Sequence, residues 1–423
     1  MIIRSLHLEH YRCFKNLDIE FDEQLTVLVG INGSGKTALL DALSAFLIKA
    51  GTIDALYQFG IEIPVNSVSI GSNYKDLIYN IGIQNKDCIY NKPLILPFIV
   101  QKNTNGSMAH LIYNIDNEFH EIIKMCRPLC VSYMTGRLIR DDDMKLKNNI
   151  ETDSPNKAYK NNFNRSIDYA SSLEWFNNSD ADEARAMRDD EKKEQLPELK
   201  AVRDALSKAL LGKFERPRMM GNPPELVIYE KDTGKPFKVS QLSDGYRSML
   251  ALVMDLSRRM AQVHDENNDR INPILHTPAI VLIDEIELHL HPSWQQTVIT
   301  TLIDIFPNTQ FIVTTHSPQV LTTIQPRHIR ILSDGKVYPV NEQTEGAESS
   351  RLMKHIFNVD QRPQNIEIVK TLRDYSDLVL NEKYDTEEAI LLRKRLDEHF
   401  GKDDLELMDL DLHIENSKWE QGL

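Results

Sequence analysis

The sequence predicts an α/β fold, and three stretches predict it. Leu25-Thr26-Val27-Leu28-Val29 is a short, apolar, β-branched run of the kind buried on both faces of a sheet. It leads through the turn Gly30-Ile31-Asn32-Gly33-Ser34-Gly35 into Lys36-Thr37, after which Leu39, Leu40, Leu43, Phe46 and Leu47 recur at helical spacing. Further on, Ala279-Ile280-Val281-Leu282-Ile283 and Phe311-Ile312-Val313-Thr314 are two more apolar strands. The first ends in Asp284-Glu285 and the second runs out to His316. Polar residues standing just beyond the C-terminal ends of buried strands are where α/β sheets hold their ligands.

The first of these stretches reads G-x-x-x-x-G-K-[ST], and strand, glycine turn, helix is the context a phosphate-binding loop requires. Residues Gly30, Ile31, Asn32, Gly33, Ser34 and Gly35 let backbone N–H groups curl round β- and γ-phosphates at a positive helix end. Lys36 would reach the phosphate oxygens, and the Thr37 hydroxyl would ligate Mg²⁺. Asp284 can hold the same ion through its water shell, and Glu285 can orient or deprotonate an attacking water. His316 can donate a hydrogen bond to a γ-phosphate. Ser243 and Gly245 stand at the start of an amphipathic helix, where a hydroxyl and N–H groups can hold a γ-phosphate. Ser243 is equally readable as a plain N-cap.

With 423 residues the chain exceeds one compact domain, and 41% hydrophobic residues supply ample core. The net charge of -14 argues against a protein coated in DNA, so any nucleic-acid contact must use a local patch. Cys13, Cys88, Cys126 and Cys130 lack metal-ligand spacing and read as reduced thiols of a cytoplasmic protein. No apolar run approaches a membrane helix, and Met1 leads directly into a strand, so no membrane partner is expected.

Residues 1–29 read as a β-meander in which Tyr11 and Arg12 either contact a nucleotide or form a plain turn before a core Phe14. Residues 78–83, 89–100 and 111–119 read as strands widening the first sheet, and residues 128–133 as another buried strand followed by Arg137, which reads as a surface arginine or as one facing the nucleotide. Residues 141–165 read as a mobile polar loop in which Asp141-Asp142-Asp143 is a solvated acidic turn. Helices are expected near 168–176 and 181–211, a hairpin over 226–239, and an amphipathic helix from Met249 to about Gln262. His289 and His291 lack a second ligand cluster, so a zinc site is not expected. A hairpin at Asp334-Gly335 closes the sheet, and two amphipathic helices at 375–384 and 387–400 form a charged tail whose burial partner is not visible.

Four elements in this order, Gly30-Ile31-Asn32-Gly33-Ser34-Gly35-Lys36-Thr37, Leu242-Ser243-Asp244-Gly245-Tyr246, the Ile280 to Pro292 run IVLIDEIELHLHP and Thr314-Thr315-His316-Ser317-Pro318, resemble the ATP-binding-cassette ATPase heads of the SMC, RecF and OLD group. The resemblance covers about residues 1–345. It implies a two-lobed α/β ABC-type P-loop head with a helical insert at about 140–225, a signature and Walker B lobe at about 226–345, and a small helical C-terminal tail at 346–423. It also implies ATP and Mg²⁺ as ligands, Thr37 and Asp284 at the metal, Glu285 as base, His316 as γ-phosphate sensor, and Ser243 and Gly245 acting in trans when two heads sandwich two ATP molecules. Asp244 departs from the signature's second glycine and Tyr246 from its glutamine, and Gln84 and Gln101 are the candidates for a glutamine loop.

Within the group, the LSDGYRSMLAL helix, the IELHLHPSWQ stretch and the tail segment Phe400-Gly401-Lys402-Asp403-Asp404-Leu405 resemble the PtuA-type ATPases of Septu and some retron anti-phage systems. Such ATPases work with a separate HNH endonuclease, PtuB. The resemblance therefore implies an ATP-binding, ATP-hydrolysing regulatory subunit, a homodimer or higher homo-oligomer, with DNA reached through the complex. OLD relatives carry a fused nuclease, for which residues 346–423 are too few, so the chain itself is not expected to cut. A RecF-like DNA-repair ATPase and a nucleotide-responsive scaffold with little turnover are the alternatives.

Overall fold

The computed structural model describes residues 2–51, 77–81, 94–102, 109–112, 129–136, 158–159, 163, 167–189, 195–264, 273–401 and 403–420. The expectations for Arg137, the acidic triplet and Gln84 lie outside the described residues, as does most of the expected loop over 141–165. The chain divides into two compact units, Met1–Leu352 and Met353–Leu423.

The first unit is built on a six-stranded sheet in the order β14-β13-β3-β12-β11-β7. Its members are β3 (Leu25–Val29), β7 (Leu129–Tyr133), β11 (Ala279–Ile283), β12 (Thr309–Thr315), β13 (Ile329–Ser333) and β14 (Lys336–Pro339). All pairings are parallel except β13 with β14, which join antiparallel through a turn with Asp334 and Gly335 at positive φ. Strands β3, β7, β11 and β12 are buried at every residue, which is why they read as continuous apolar runs. The register sets Val29 beside Thr315 and Ile283 beside both Val313 and Tyr133. Residues 30, 284 and 316 therefore leave the same edge of the sheet on adjacent strands.

Helix α1 (Lys36–Gly51) buries Leu39, Leu40, Leu43 and Leu47 in a core shared with Leu28, Ile280, Leu282 and Ile312 of the sheet. The same core takes in Leu6, Leu8, Leu17 and Ile19 from β1 (Ser5–Tyr11) and β2 (Phe14–Glu20). The expected meander is corrected in one respect: β1 and β2 pair antiparallel with each other, whereas β3 pairs parallel with β12 and β13. Strands β4 (Leu77–Ile81), β5 (Leu94–Lys102) and β6 (Ala109–Ile112) form a separate antiparallel sheet in sequence order.

Helices α2 (Tyr169–Asp189) and α3 (Pro197–Ala209) precede a second small sheet. There β8 (Phe214–Met220), β9 (Glu225–Glu230) and β10 (Pro236–Lys238) are antiparallel in the order β10-β9-β8. Strand β8 falls in the segment expected to be helical insert. Its register slips between Glu215 and Arg218, with Arg216 at φ 50 and Pro217 beside it, so the bulge breaks the alternation that would have announced a strand. Helix α4 (Asp244–Val263) follows, and it is buried almost continuously from Ser248 to Ala261. No described helix is long and apolar enough to cross a membrane.

The second unit contains α6 (Glu367–Leu380), α7 (Glu387–Phe400) and α8 (Leu405–Glu420), numbered after α5 (Val298–Ile305) of the first. Leu372, Tyr375, Val379, Ala389, Leu396, Leu407 and Leu410 form its own core, so the partner that the sequence left unseen is the third helix. That helix was missed because Leu405, Leu407, Leu410, Leu412 and Ile414 fall largely at alternate positions, a strand's period. Arg393 of α7 pairs with Asp411 of α8, and Arg362 grips both oxygens of Asp404 at 2.8 Å.

Candidate functional site

Lys36 opens α1 and is 5% exposed. Its ammonium donates to the carbonyls of Gly30 at 2.7 Å and Ile31 at 3.0 Å, which hold it at the mouth of the loop. Burial lowers its pKa, and the carboxylates of Asp284, Glu285 and Glu287 work in the other direction. Gly35 sits at φ 100, and a Cβ there would collide with the Phe14 ring and the Cys13 sulfur of the β1–β2 turn. Only glycine lets the loop pass so close to that hairpin. Tyr11 is buried, which pushes its hydroxyl up to about 12, and Arg12 pairs with Asp41 of α1 at 2.6 Å.

At the end of β11, the buried Asp284 carboxylate accepts from two threonines. The Thr37 hydroxyl donates to Oδ2 at 3.0 Å and the Thr314 hydroxyl to Oδ1 at 2.6 Å. The Thr314 oxygen in turn accepts the Glu285 N–H at 2.8 Å, and its carbonyl accepts the Ile286 N–H at 3.0 Å. Glu285 has φ 48, so the chain turns sharply as it leaves the strand, and Thr314 fixes that turn from the neighbouring strand. Ile286 and Leu290 anchor the following segment in the core.

His316 follows β12 and is half-buried. Burial and the Lys36 charge lower its pKa, against the opposing pull of Glu287, Glu285 and Asp284, so the neutral imidazole is favoured. The structure thus brings Lys36, Thr37, Asp284, Glu285 and His316 into one electrostatic neighbourhood. It does not bring Ser243 or Gly245 there through any hydrogen bond to residues 30–37. Ser243 precedes α4 in an extended conformation, is exposed, and makes no side-chain cap bond. Gly245 instead lies against the backbone after β11, where a Cβ would stand 2.9 Å from the His289 carbonyl. Tyr246 packs edge-on against Trp294 at 4.4 Å and against Phe214 at 5.6 Å.

Sequence reasoning missed Thr314, Thr315 and Glu287. The signal available was a pair of threonines closing the apolar run Phe311-Ile312-Val313, where buried polar residues need a partner. Two oxygens of different side chains, the Thr37 hydroxyl and the Asp284 carboxylate, meet beside the Gly30–Gly35 turn, a donor set suited to a hard cation such as Mg²⁺. Among the described residues no cluster of three or more His, Cys, Asp or Glu could hold a metal by itself. His291 caps the turn at Ser293.

Residues 1–125 match a family model described as "AAA ATPase domain", and residues 136–322 one described as "AAA domain, putative AbiEii toxin, Type IV TA system". The chain is 31% identical to "Retron Ec83 probable ATPase" of Escherichia coli, across 99% of this chain and 87% of that protein. It is 25% identical to "Retron Vc95 probable ATPase" of Vibrio cholerae serotype O1 biovar El Tor, across 94% and 87%. It is also 35% identical to the Septu protein PtuA of Bacillus mycoides, across 29% of this chain and 16% of that one.

Proposed function

We propose, from the premise that this chain belongs to the family of the retron ATPases, that it is the ATP-driven regulatory subunit of an anti-phage complex and controls a separately encoded HNH nuclease. It is an ATPase with the α/β head of that class. The observation that carries the site is the hydrogen bond from Thr37 to Asp284, which links the phosphate loop to the end of β11.

In this reading the loop N–H groups of residues 30–35 and Lys36 take the β- and γ-phosphates of ATP. Thr37 and Asp284 would hold Mg²⁺, which supplies positive charge against the phosphates when bound. Glu285 orients a water and takes its proton as the water oxygen bonds to the γ-phosphorus and the bond to the β-phosphate oxygen breaks. His316, neutral, donates a hydrogen bond to the γ-phosphate. The chain works in the cytoplasm, and it reaches DNA through the complex.

Lys36→Ala is expected to weaken Mg-ATP binding by at least ~2–3 kcal/mol, because the anionic ligand loses its charge-assisted bond. Calorimetry would check this, and wild-type affinity would remove the phosphate-loop assignment. With the nuclease co-expressed, cleavage by the complex should respond to ATP state, and Lys36→Ala should abolish the response. A nuclease that never co-purifies, or that cuts alike with and without ATP, would end the regulatory reading. Ile390, Leu391, Leu405, Leu412 and Trp419 remain exposed on the three-helix unit, and they support a partner docking there.

The signature residues act across a dimer in this proposal, and the geometry tells which one can test it. Gly245 is packed against its own chain, so a substitution there would disturb the fold as well as any partner. Ser243 is exposed, so Ser243→Asp would set a carboxylate against a partner's γ-phosphate without touching its own core. Mixing the inactive Lys36→Ala and Ser243→Asp proteins should restore roughly a quarter of wild-type turnover, since about half the dimers are mixed and each keeps one of two sites. Mixing that restores nothing would exclude composite sites.

A further inference from the structure

We propose that Glu287 is a positioning residue for ATP hydrolysis, its carboxylate holding in place the turn that carries His316. The inference rests on the ATPase reading of the site given above. Glu287 accepts through both oxygens from consecutive residues of that turn. The His316 backbone N–H donates to Oε1 at 2.6 Å, and the Thr315 hydroxyl donates to Oε2 at 2.8 Å. The Thr315 oxygen then accepts the Ser317 N–H at 3.0 Å, so the bonds form a continuous lattice around His316.

The same segment grips the turn a second time. The Ser317 hydroxyl donates to Gln295 Oε1 at 2.6 Å, and Gln295 itself donates to the Leu290 carbonyl at 2.9 Å. Ile286, buried between Glu285 and Glu287, pins the segment to the core. The stretch leaving β11 therefore carries both Glu285 and the clamp that fixes His316. Charge-assisted bonds of this length are strong where solvent is partly excluded. Both oxygens of Glu287 are engaged by the turn that they hold. The geometry assigns Glu287 to holding, and leaves proton transfer to Glu285.

The variants differ in what they remove. Glu287→Ala deletes both acceptors. Glu287→Gln keeps one acceptor for the His316 N–H and offers an amide donor to the Thr315 oxygen. Thr315→Val removes one of the two bonds to Glu287, together with the acceptor of the Ser317 N–H, at nearly constant volume. Misplacing a catalytic group by about an ångström can cost on the order of a hundredfold in rate, so Glu287→Ala should lower kcat by about ten- to a hundredfold. Its affinity for Mg-ATP by calorimetry should stay within a few-fold of wild type, as expected for a role confined to the chemical step. Thr315→Val should show a smaller fall in kcat, and Glu287→Gln should recover most of the wild-type rate.

The decisive measurement is a double-mutant cycle with His316→Ala, which should itself be slow. In that background Glu287→Ala should cost nothing further, because it acts through His316. A full multiplicative loss in the double variant would overturn the proposal while leaving the ATPase site intact. Glu287→Gln as inactive as Glu287→Ala would overturn it too, and would make Glu287 a proton acceptor. Should His316→Ala turn over ATP at the wild-type rate, the reading of the site fails at His316 and the proposal falls with it. If Glu287→Ala does not fold, the Gln and Val variants in the same cycle decide the matter.

Discussion

Glu285→Gln is expected to bind ATP as the wild type does and to hydrolyse it about two to four orders of magnitude more slowly, the range that general-base catalysis contributes. The amide keeps the shape of the carboxylate but cannot accept the water's proton. The backbone around it should not move, because Thr314 anchors it through the Glu285 N–H at 2.8 Å and the Ile286 N–H at 3.0 Å, independently of the side chain. The left-handed φ of 48 at this position is sustained by those same bonds. Phosphate release measured beside calorimetric affinity separates the two effects. Wild-type turnover by the variant would show that Glu285 is not the base. A wild-type protein with no turnover even beside its partner would favour a nucleotide-responsive scaffold.

What the sequence made legible was local. Strands β3, β11 and β12 announced themselves as unbroken apolar runs because each is buried on both faces. The glycine turn after β3 was readable because close approach demands glycine within a few residues, as the crowding at Gly35 illustrates. What stayed hidden depends on strand register. Thr314 clamps Asp284 only because β12 lies between β3 and β11, and no spacing along the chain encodes that adjacency. Glu287 was passed over for the same reason, since its two donors come from a different strand's end. The crowding at Gly245 is hidden in the same way, since a Cβ there would stand 2.9 Å from the His289 carbonyl, more than forty residues along the chain. Strand β8 and helix α8 were obscured by patterning: a bulge broke the first, and a two-residue alternation disguised the second.

Asp255→Ala is expected to destabilise the first unit by about 3–5 kcal/mol, the cost of leaving buried charges without their partner. Asp255 is fully buried at the centre of α4, and four side chains converge on it. Arg258 and Arg259 each donate to it at 2.7 Å, Tyr133 at 2.9 Å and Ser172 at 3.1 Å. Arg259 also donates to the Ala158 carbonyl. Burial by itself would raise the Asp255 carboxyl, but the two guanidiniums overcome it and hold the group down to about 2. An unfolded aspartate titrates near 3.9, so the unfolded chain takes up the proton first on acidification. The contribution is therefore complete above about pH 4 and lost as pH falls toward 2. Across that window Asp255→Ala should lose less stability than the wild type, which guanidinium denaturation at each pH would measure. A midpoint unchanged at neutral pH would show that the cluster contributes nothing. Replacing Asp255, Arg258 and Arg259 together with apolar residues should cost less than Asp255→Ala alone, since no charge is then stranded. Because Tyr133 ends β7 and its carbonyl accepts the Asp284 N–H at 2.9 Å, the cluster also supports the strand end that carries Asp284 and Glu285.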